Sequence, residues 1–299
     1  MPRLISRTRR AALLEAVLRG LARLSLPAVH RLGDALGWLL AALPNLPRRL
    51  AARNLELCLP ELDAAARARL LRASLRETAC GMLELGPLWC WPAERQRALV
   101  RASQGEAAFA AAVAAGHGVI VLSPHLGAWE VSGQYISSRW PITSLYRPSR
   151  LGIDALVRSG RERLGARLVP TDAGGVRALL AALRRGEVAG ILPDQDPGRG
   201  NGVFAPFFGV SANTMTLVSR LAQRSRAPVF LACAERLPRG AGFCVHFTPC
   251  SPAIGREPLA ESVTALNADV EAAVRRLPAQ YLWAYKRFRT RPDGEAKLY

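Results

Sequence analysis

The chain has 299 residues, half of them hydrophobic, and a formal net charge of +18. That length buries a sizeable core, either as one large α/β domain with an appendage or as two domains. The six cysteines (Cys58, Cys80, Cys90, Cys233, Cys244, Cys250) form no C-x-x-C pair and no Cys/His spacing, which excludes a zinc module and fits reduced thiols in a cytoplasm-facing protein.

Nearly all the positive charge is arginine, since Lys286 and Lys297 are the only lysines. Such a surface attracts phosphates, anionic lipid head groups or an acidic protein. The N-terminus, MPRLISRTRRAALLEAVLRGL, is basic and then apolar, without the clean hydrophobic core and small-residue cleavage site of a signal peptide. Leu14, Val17, Leu18, Leu21 and Leu24 recur at helical spacing, with Glu15, Arg19 and Arg23 on a separate stripe, and Pro27 ends the run. A second apolar segment from Ala35 to Leu43 carries Trp38 and stops at Pro44, well short of the roughly 20 apolar residues that span a bilayer. These segments read as helices lying in a membrane interface, or as a helical hairpin packed on the main domain. The expected division is 1–46, amphipathic and membrane-associating, and 47–299, catalytic.

Residues 47–100 read as helices, with Asp63 as an N-cap after Pro60 and an aromatic cluster at Trp89 and Trp91 suited to walling an acyl-chain pocket or to filling core. After Ser103 helices and strands alternate. Strands are expected at 119–122, 142–146, 167–170, 188–192, 229–232 and 243–247, and helices at 106–115, 153–164, 176–185 and 213–224. Alternation of this kind predicts an α/β fold, a mixed and mostly parallel sheet flanked by helices with catalytic loops at the strand ends.

The corner after the first of those strands, Ser123-Pro124-His125, holds the best candidate for chemistry. Glu130 follows five residues later, where the first helical turn can bring its carboxylate back to the imidazole, making His125 a general base and Glu130 its orienting group. The alternative is a helix-capping His with a solvated first-turn acid. No G-x-S-x-G elbow exists and no Cys neighbours this loop, so direct attack by a substrate hydroxyl is favoured over an acyl-enzyme. Arg147 and Arg161 follow later strands and are candidates for phosphates or a developing oxyanion. Asp194 and Asp196 form a D-x-D that suits either a divalent metal or pairing with those arginines. Pro206-Phe207-Phe208-Gly209 is apolar for a loop and is expected to cover a hydrophobic substrate. The basic, aromatic tail from Trp283 to Pro292 suits nucleic acid in residue type but lacks any accompanying binding module, so an interfacial or carrier-protein contact is preferred.

Taken in order, NLELCLPEL, SPHLGAWE, LYRP, GRERLGARLVP, PDQDPG, FAPFFG and YKRFRTRPDGE resemble the lipid A secondary acyltransferases, the lauroyl and myristoyl transferases of the lysophospholipid-acyltransferase-like superfamily. The resemblance implies a glycerolipid acyltransferase-like fold and a catalytic dyad at His125 and Glu130. It places Arg161, Asp194 and Asp196 near substrate, with Arg147 a further candidate. It also implies an acyl-acyl carrier protein donor, a Kdo-lipid A precursor as acceptor and action at the cytoplasmic face of the bacterial inner membrane, against its phospholipid surface. That chemistry calls for no metal or organic cofactor. Rival readings are an acyltransferase acting on another glycolipid or a lysophospholipid, a metal-dependent glycosyltransferase using Asp194 and Asp196, and a non-enzymatic basic binding protein.

Overall fold

The computed structural model describes residues 7–149 and 151–299. Residues 1–6, at the basic start of the expected N-terminal segment, lie outside the described residues. Four helices come first: α1 (Arg7–Leu21), α2 (Leu26–Ala42), α3 (Leu46–Cys58) and α4 (Ala64–Cys90). Each of the last three opens on a side-chain cap. Ser25, Asn45 and Asp63 accept from the backbone N–H three residues on, satisfying a donor that the helix itself leaves open. Helix α2 lies along α4 so closely that a Cβ on Gly37 would stand 2.3 Å from Arg76 Cα. Arg236, buried, reaches back to Glu84 and Glu77 of α4, and His30 of α2 meets the same Glu84, so the N-terminal helices are bound to the sheet by a buried ionic cluster.

The short α5 (Ala93–Arg97) leads into the alternating part: β1 (Val100–Gln104), α6 (Glu106–Ala114), β2 (Val119–Leu122), α7 (Trp129–Ser137), β3 (Ile142–Tyr146), α8 (Asp154–Glu162), β4 (Arg167–Pro170), α9 (Ala173–Arg184) and β5 (Val188–Ile191). A hairpin, β6 (Gly202–Phe207) and β7 (Val210–Met215), precedes α10 (Leu217–Ser225), β8 (Val229–Arg236), β9 (Phe243–Pro249) and α11 (Leu259–Arg276). The main sheet has seven strands in the order β1-β9-β8-β2-β5-β3-β4. β8, β2, β5, β3 and β4 run parallel, while β9 opposes β8 and β1 follows β9. Both faces are covered. Ile120 and Leu122 of β2 join a cluster with α9, α10 and α11, and Val119 and Val121 join one with Phe109 of α6 and with α7. Burial on both faces is why the central strands read as unbroken apolar runs.

The α/β reading with a mostly parallel sheet holds. No helix among the described residues is long and apolar enough to cross a membrane. Three expectations need correction. The segment around Pro206-Phe207-Phe208-Gly209 is the turn of the β6–β7 hairpin, and Phe207 and Phe208 are buried against Tyr281, Trp283 and Phe288 rather than spread over a substrate. That hairpin takes residues 213–215 as strand, which delays the helix expected from Asn213 to Leu217. Part of the tail is core structure: Trp283, Arg287 and Phe288 are buried, and the Arg287 guanidinium donates to the Asn213 carbonyl and the Thr214 hydroxyl, while Lys286 and Arg289 stay exposed.

Candidate active site

The site lies at the carboxyl edge of the parallel strands, where loops leave β2, β3, β4 and β5. Pro124 ends β2, and the next residues are held from two sides. The Leu282 N–H donates to the His125 carbonyl, and Gly127 exchanges its strand-like contacts with Gln280 and Ala234. Gly127 has φ 63° and a Cβ there would stand 2.1 Å from the Ala234 carbonyl oxygen, so this corner admits glycine alone. The imidazole of His125 is thereby fixed on a pinned loop with a small exposed face, packed beside Trp129 at 5.0 Å between ring centroids.

The partner of that imidazole is Asp194. Leu122 pairs with Ile191 across the β2–β5 ladder, and His125 and Asp194 lie the same distance beyond those two strand ends. One carboxylate oxygen accepts the His125 backbone N–H at 2.9 Å, and the other lies 2.9 Å from the ring Nδ1. Burial pushes the Asp194 carboxyl up, but the charge of His125 and the hydrogen bonds to its ring and backbone outweigh that and hold it below the ordinary value. An ionised Asp194 places the ring proton on Nδ1 and leaves Nε2 as the acceptor. Nε2 stands 3.2 Å from the side-chain amide nitrogen of Gln195. The buried Tyr281 phenol, raised well above its ordinary value by burial and by Asp194, stays neutral behind the pair.

Glu130 makes a different contact from the one its spacing suggested. It is buried in the first turn of α7, and Arg161 of α8 grips both of its oxygens, with Nε 2.9 Å from Oε2 and Nη2 on Oε1. The indole N–H of Trp89 donates to Oε2 at 3.2 Å. Burial raises the Glu130 carboxyl, yet the Arg161 charge and hydrogen bonds bring it below the usual range, while the same pairing, against burial, raises the Arg161 guanidinium. The expectation that Glu130 holds the ring N–H of His125 is therefore corrected, since that nitrogen faces Asp194. A buried, forked ion pair of this kind returns little net stability after desolvation.

His125, Arg147, Arg161 and Asp196 border one cleft of about 850 Å³, together with Trp89, Tyr146 and Gln195. Arg147 is an exposed rim residue. Asp196 turns inward, accepting from the backbone N–H groups of Gly198 and Thr290 and from the Asn213 amide. The two aspartates thus spend their oxygens on protein donors, and neither pairs with Arg147 or Arg161. Among the described residues no set of three His, Cys, Asp or Glu converges as metal ligands. Sequence reading missed Gln195, Tyr281 and the Trp89 contact as parts of the site. Gln195 was within reach of it, lying between the two aspartates already singled out.

A second, narrow pocket continues from the cleft, sharing Leu145, Arg161, Ile191 and Leu192 with it. It runs between α7 and the sheet, walled by Val121, Ile136, Ile142 and Leu168. A histidine with a buried carboxylate behind it, on a cleft that also holds a guanidinium and opens into an apolar slot, is the site of an α/β enzyme suited to an apolar substrate. The comparisons give that class its family. Residues 3–290 match the model of the bacterial lipid A biosynthesis acyltransferases, and the chain belongs to that family. It is 32% identical to the lipid A biosynthesis palmitoleoyltransferase of Escherichia coli K12 over 93% of this chain and 90% of that protein. It is 31% identical to the lauroyltransferase of the same organism over the same shares, and 25% identical to the myristoyltransferase over 91% of this chain and 83% of that protein. The chain is a lipid A biosynthesis acyltransferase, which removes the glycosyltransferase reading of the D-x-D and the non-enzymatic reading of the basic surface.

Proposed function

We propose that the enzyme moves a fatty acyl chain from the thioester of acyl carrier protein to the hydroxyl of a hydroxyacyl chain on a Kdo-lipid A precursor. His125 Nε2 takes the hydroxyl proton as the oxygen attacks the thioester carbonyl. Asp194 holds the Nδ1 proton and offsets the imidazolium that forms. Gln195 gives up its contact with Nε2 as the acceptor enters. Arg161, fixed by Glu130, whose carboxylate Trp89 also holds, faces the developing oxyanion, and the carrier thiol leaves with the proton relayed through His125. Arg147 on the rim meets acceptor phosphate, and Asp196 shapes the loop that carries Asp194 and Gln195.

The carrying observation is the 2.9 Å pairing of Nδ1 with a buried carboxylate while the other face of the ring borders the cleft. Residues 1–46 are proposed as the membrane-associating part, acting at the cytoplasmic face of the inner membrane. Support comes from apolar side chains left exposed on α2, among them Leu32, Leu36, Trp38 and Leu39. The basic surface suits both anionic lipid and an acidic carrier protein.

The test is transfer from purified acyl-acyl carrier protein to a Kdo-lipid A precursor, read by mass spectrometry of the lipid. The wild type is expected to add one acyl chain, and His125→Ala to add none while melting at the same temperature. Turnover by His125→Ala, or a wild type active only on a lysophospholipid, would overturn the reading.

A further inference from the structure

Helix α7 carries Glu130, Gly133 and Ile136 three residues apart, and all three border the narrow apolar pocket. At about 1.5 Å of rise per residue they mark successive depths, from the Arg161 end next to the cleft towards the Ile136 end. Gly133 is the middle step. A glycine inside a helix is unfavourable relative to alanine, and usually a left-handed backbone or a crowded neighbour explains it. Neither applies here, because Gly133 has ordinary helical geometry and a Cβ built on it would meet nothing within 4 Å. Gly190, on the opposite wall, differs: its Cβ would stand 2.4 Å from Ser144 Oγ, so close packing accounts for it. The missing side chain at Gly133 therefore leaves open a pocket and fits no packing neighbour.

We propose that Gly133 sets the depth to which the apolar pocket accepts the acyl chain, and with it the length of chain the enzyme transfers. The inference rests on the acyl-transfer reading above and adds the residue that selects the chain. An Ala at this position projects one carbon into the slot, and a Leu blocks the passage between the Glu130 and Ile136 levels. Chains that pass Gly133 are then excluded, while shorter ones reach the thioester position unchanged. A hydrophobic pocket distinguishes chains by roughly tenfold or more per methylene, so the shift is large enough to read.

The experiment compares wild type, Gly133→Ala and Gly133→Leu with acyl carrier protein loaded with decanoyl, lauroyl, myristoyl or palmitoyl chains, each donor alone and in competition. The expected result is a preference that moves stepwise to shorter chains from wild type to Ala to Leu, by at least about tenfold in the ratio of kcat/KM between the longest and shortest donors. The shortest donor should lose the least turnover in every variant. An unchanged preference in folded, active variants overturns the proposal, and so does an equal loss with every donor. A wild type that transfers none of the four chains fails the acyl-transfer reading itself, a result distinct from either. Gly133→Ala, which favours helix, keeps the test valid if Gly133→Leu does not fold.

Discussion

Asp194 holds His125 at two points at once, the backbone N–H on one carboxylate oxygen and the ring Nδ1 on the other, each at 2.9 Å. The double grip fixes both the loop and the tautomer. In Asp194→Asn the backbone N–H still requires an acceptor and claims the amide oxygen, which turns the amide NH2 towards Nδ1. Two donors cannot face each other, so the ring moves its proton to Nε2 and loses its basic nitrogen on the cleft side. The expected outcome is a fall in kcat of about 10²- to 10⁴-fold with little change in KM, not recovered by raising the pH. Steady-state kinetics across pH measure it. A variant with near-wild-type kcat would return the orienting role to Glu130.

The Glu130–Arg161 pair gives a prediction of opposite character, since stability and activity separate. Arg161→Ala leaves a buried carboxylate without its counter-ion and is expected to cost about 3–5 kcal/mol in denaturant unfolding. Adding Glu130→Gln removes the stranded charge and should recover most of that loss, whereas transfer stays at the level of the single variant because the guanidinium is still missing. Recovery of activity together with stability would show that the pair serves packing alone.

How far the sequence discloses this site follows from strand order. The apolar runs of β2 and β5 are visible because both their faces are buried, and the corner at His125 is visible because Ser123-Pro124 ends such a run. Glu130 was the natural partner on local spacing. The actual partner stands 69 residues on, and only the parallel pairing of β2 with β5 puts the two corners side by side. That adjacency is a property of the folded sheet, whose order is not written in any single run. The β6–β7 hairpin was hidden for a local reason. Pro206 argues against a strand, yet it occupies a two-stranded sheet, and the turn is Phe208-Gly209, both with positive φ.

Acid should weaken the fold through the same carboxylates. Asp194 and Glu130 both have folded values below their ordinary ones, so the unfolded chain binds their protons first as pH drops. Their contribution is complete above the unfolded carboxylate range of about 4 and is lost as pH falls through the lower folded values. Denaturant midpoints are therefore expected to decline between about pH 5 and pH 3. Glu130→Gln should flatten that decline relative to the wild type, because one of the two depressed groups no longer titrates. Parallel loss in both proteins would place the acid sensitivity elsewhere, for example in Glu84 beside Arg236, another buried carboxyl whose ion pairing overcomes the upward push of burial.

The exposed face of α2 carries the last prediction. Leu32, Leu36 and Leu39 recur along one stripe and remain 38–48% exposed, and Trp38 is 65% exposed, although the opposite side of the helix is packed tightly on α4. Solvent-facing leucines in such a row gain free energy by entering something apolar, and no helix among the described residues is long and apolar enough to cross a membrane. Replacing Leu36 and Leu39 by Glu should leave unfolding within about 0.5 kcal/mol of the wild type for each change, since neither side chain fills core. Partition onto anionic phospholipid vesicles should fall by at least roughly tenfold, because each methylene withdrawn from lipid forfeits about 0.8 kcal/mol. Vesicle flotation measures this, with a soluble short-chain acceptor assayed in parallel to show that the catalytic cleft is intact. Equal flotation of variant and wild type would remove α2 as a membrane-binding surface.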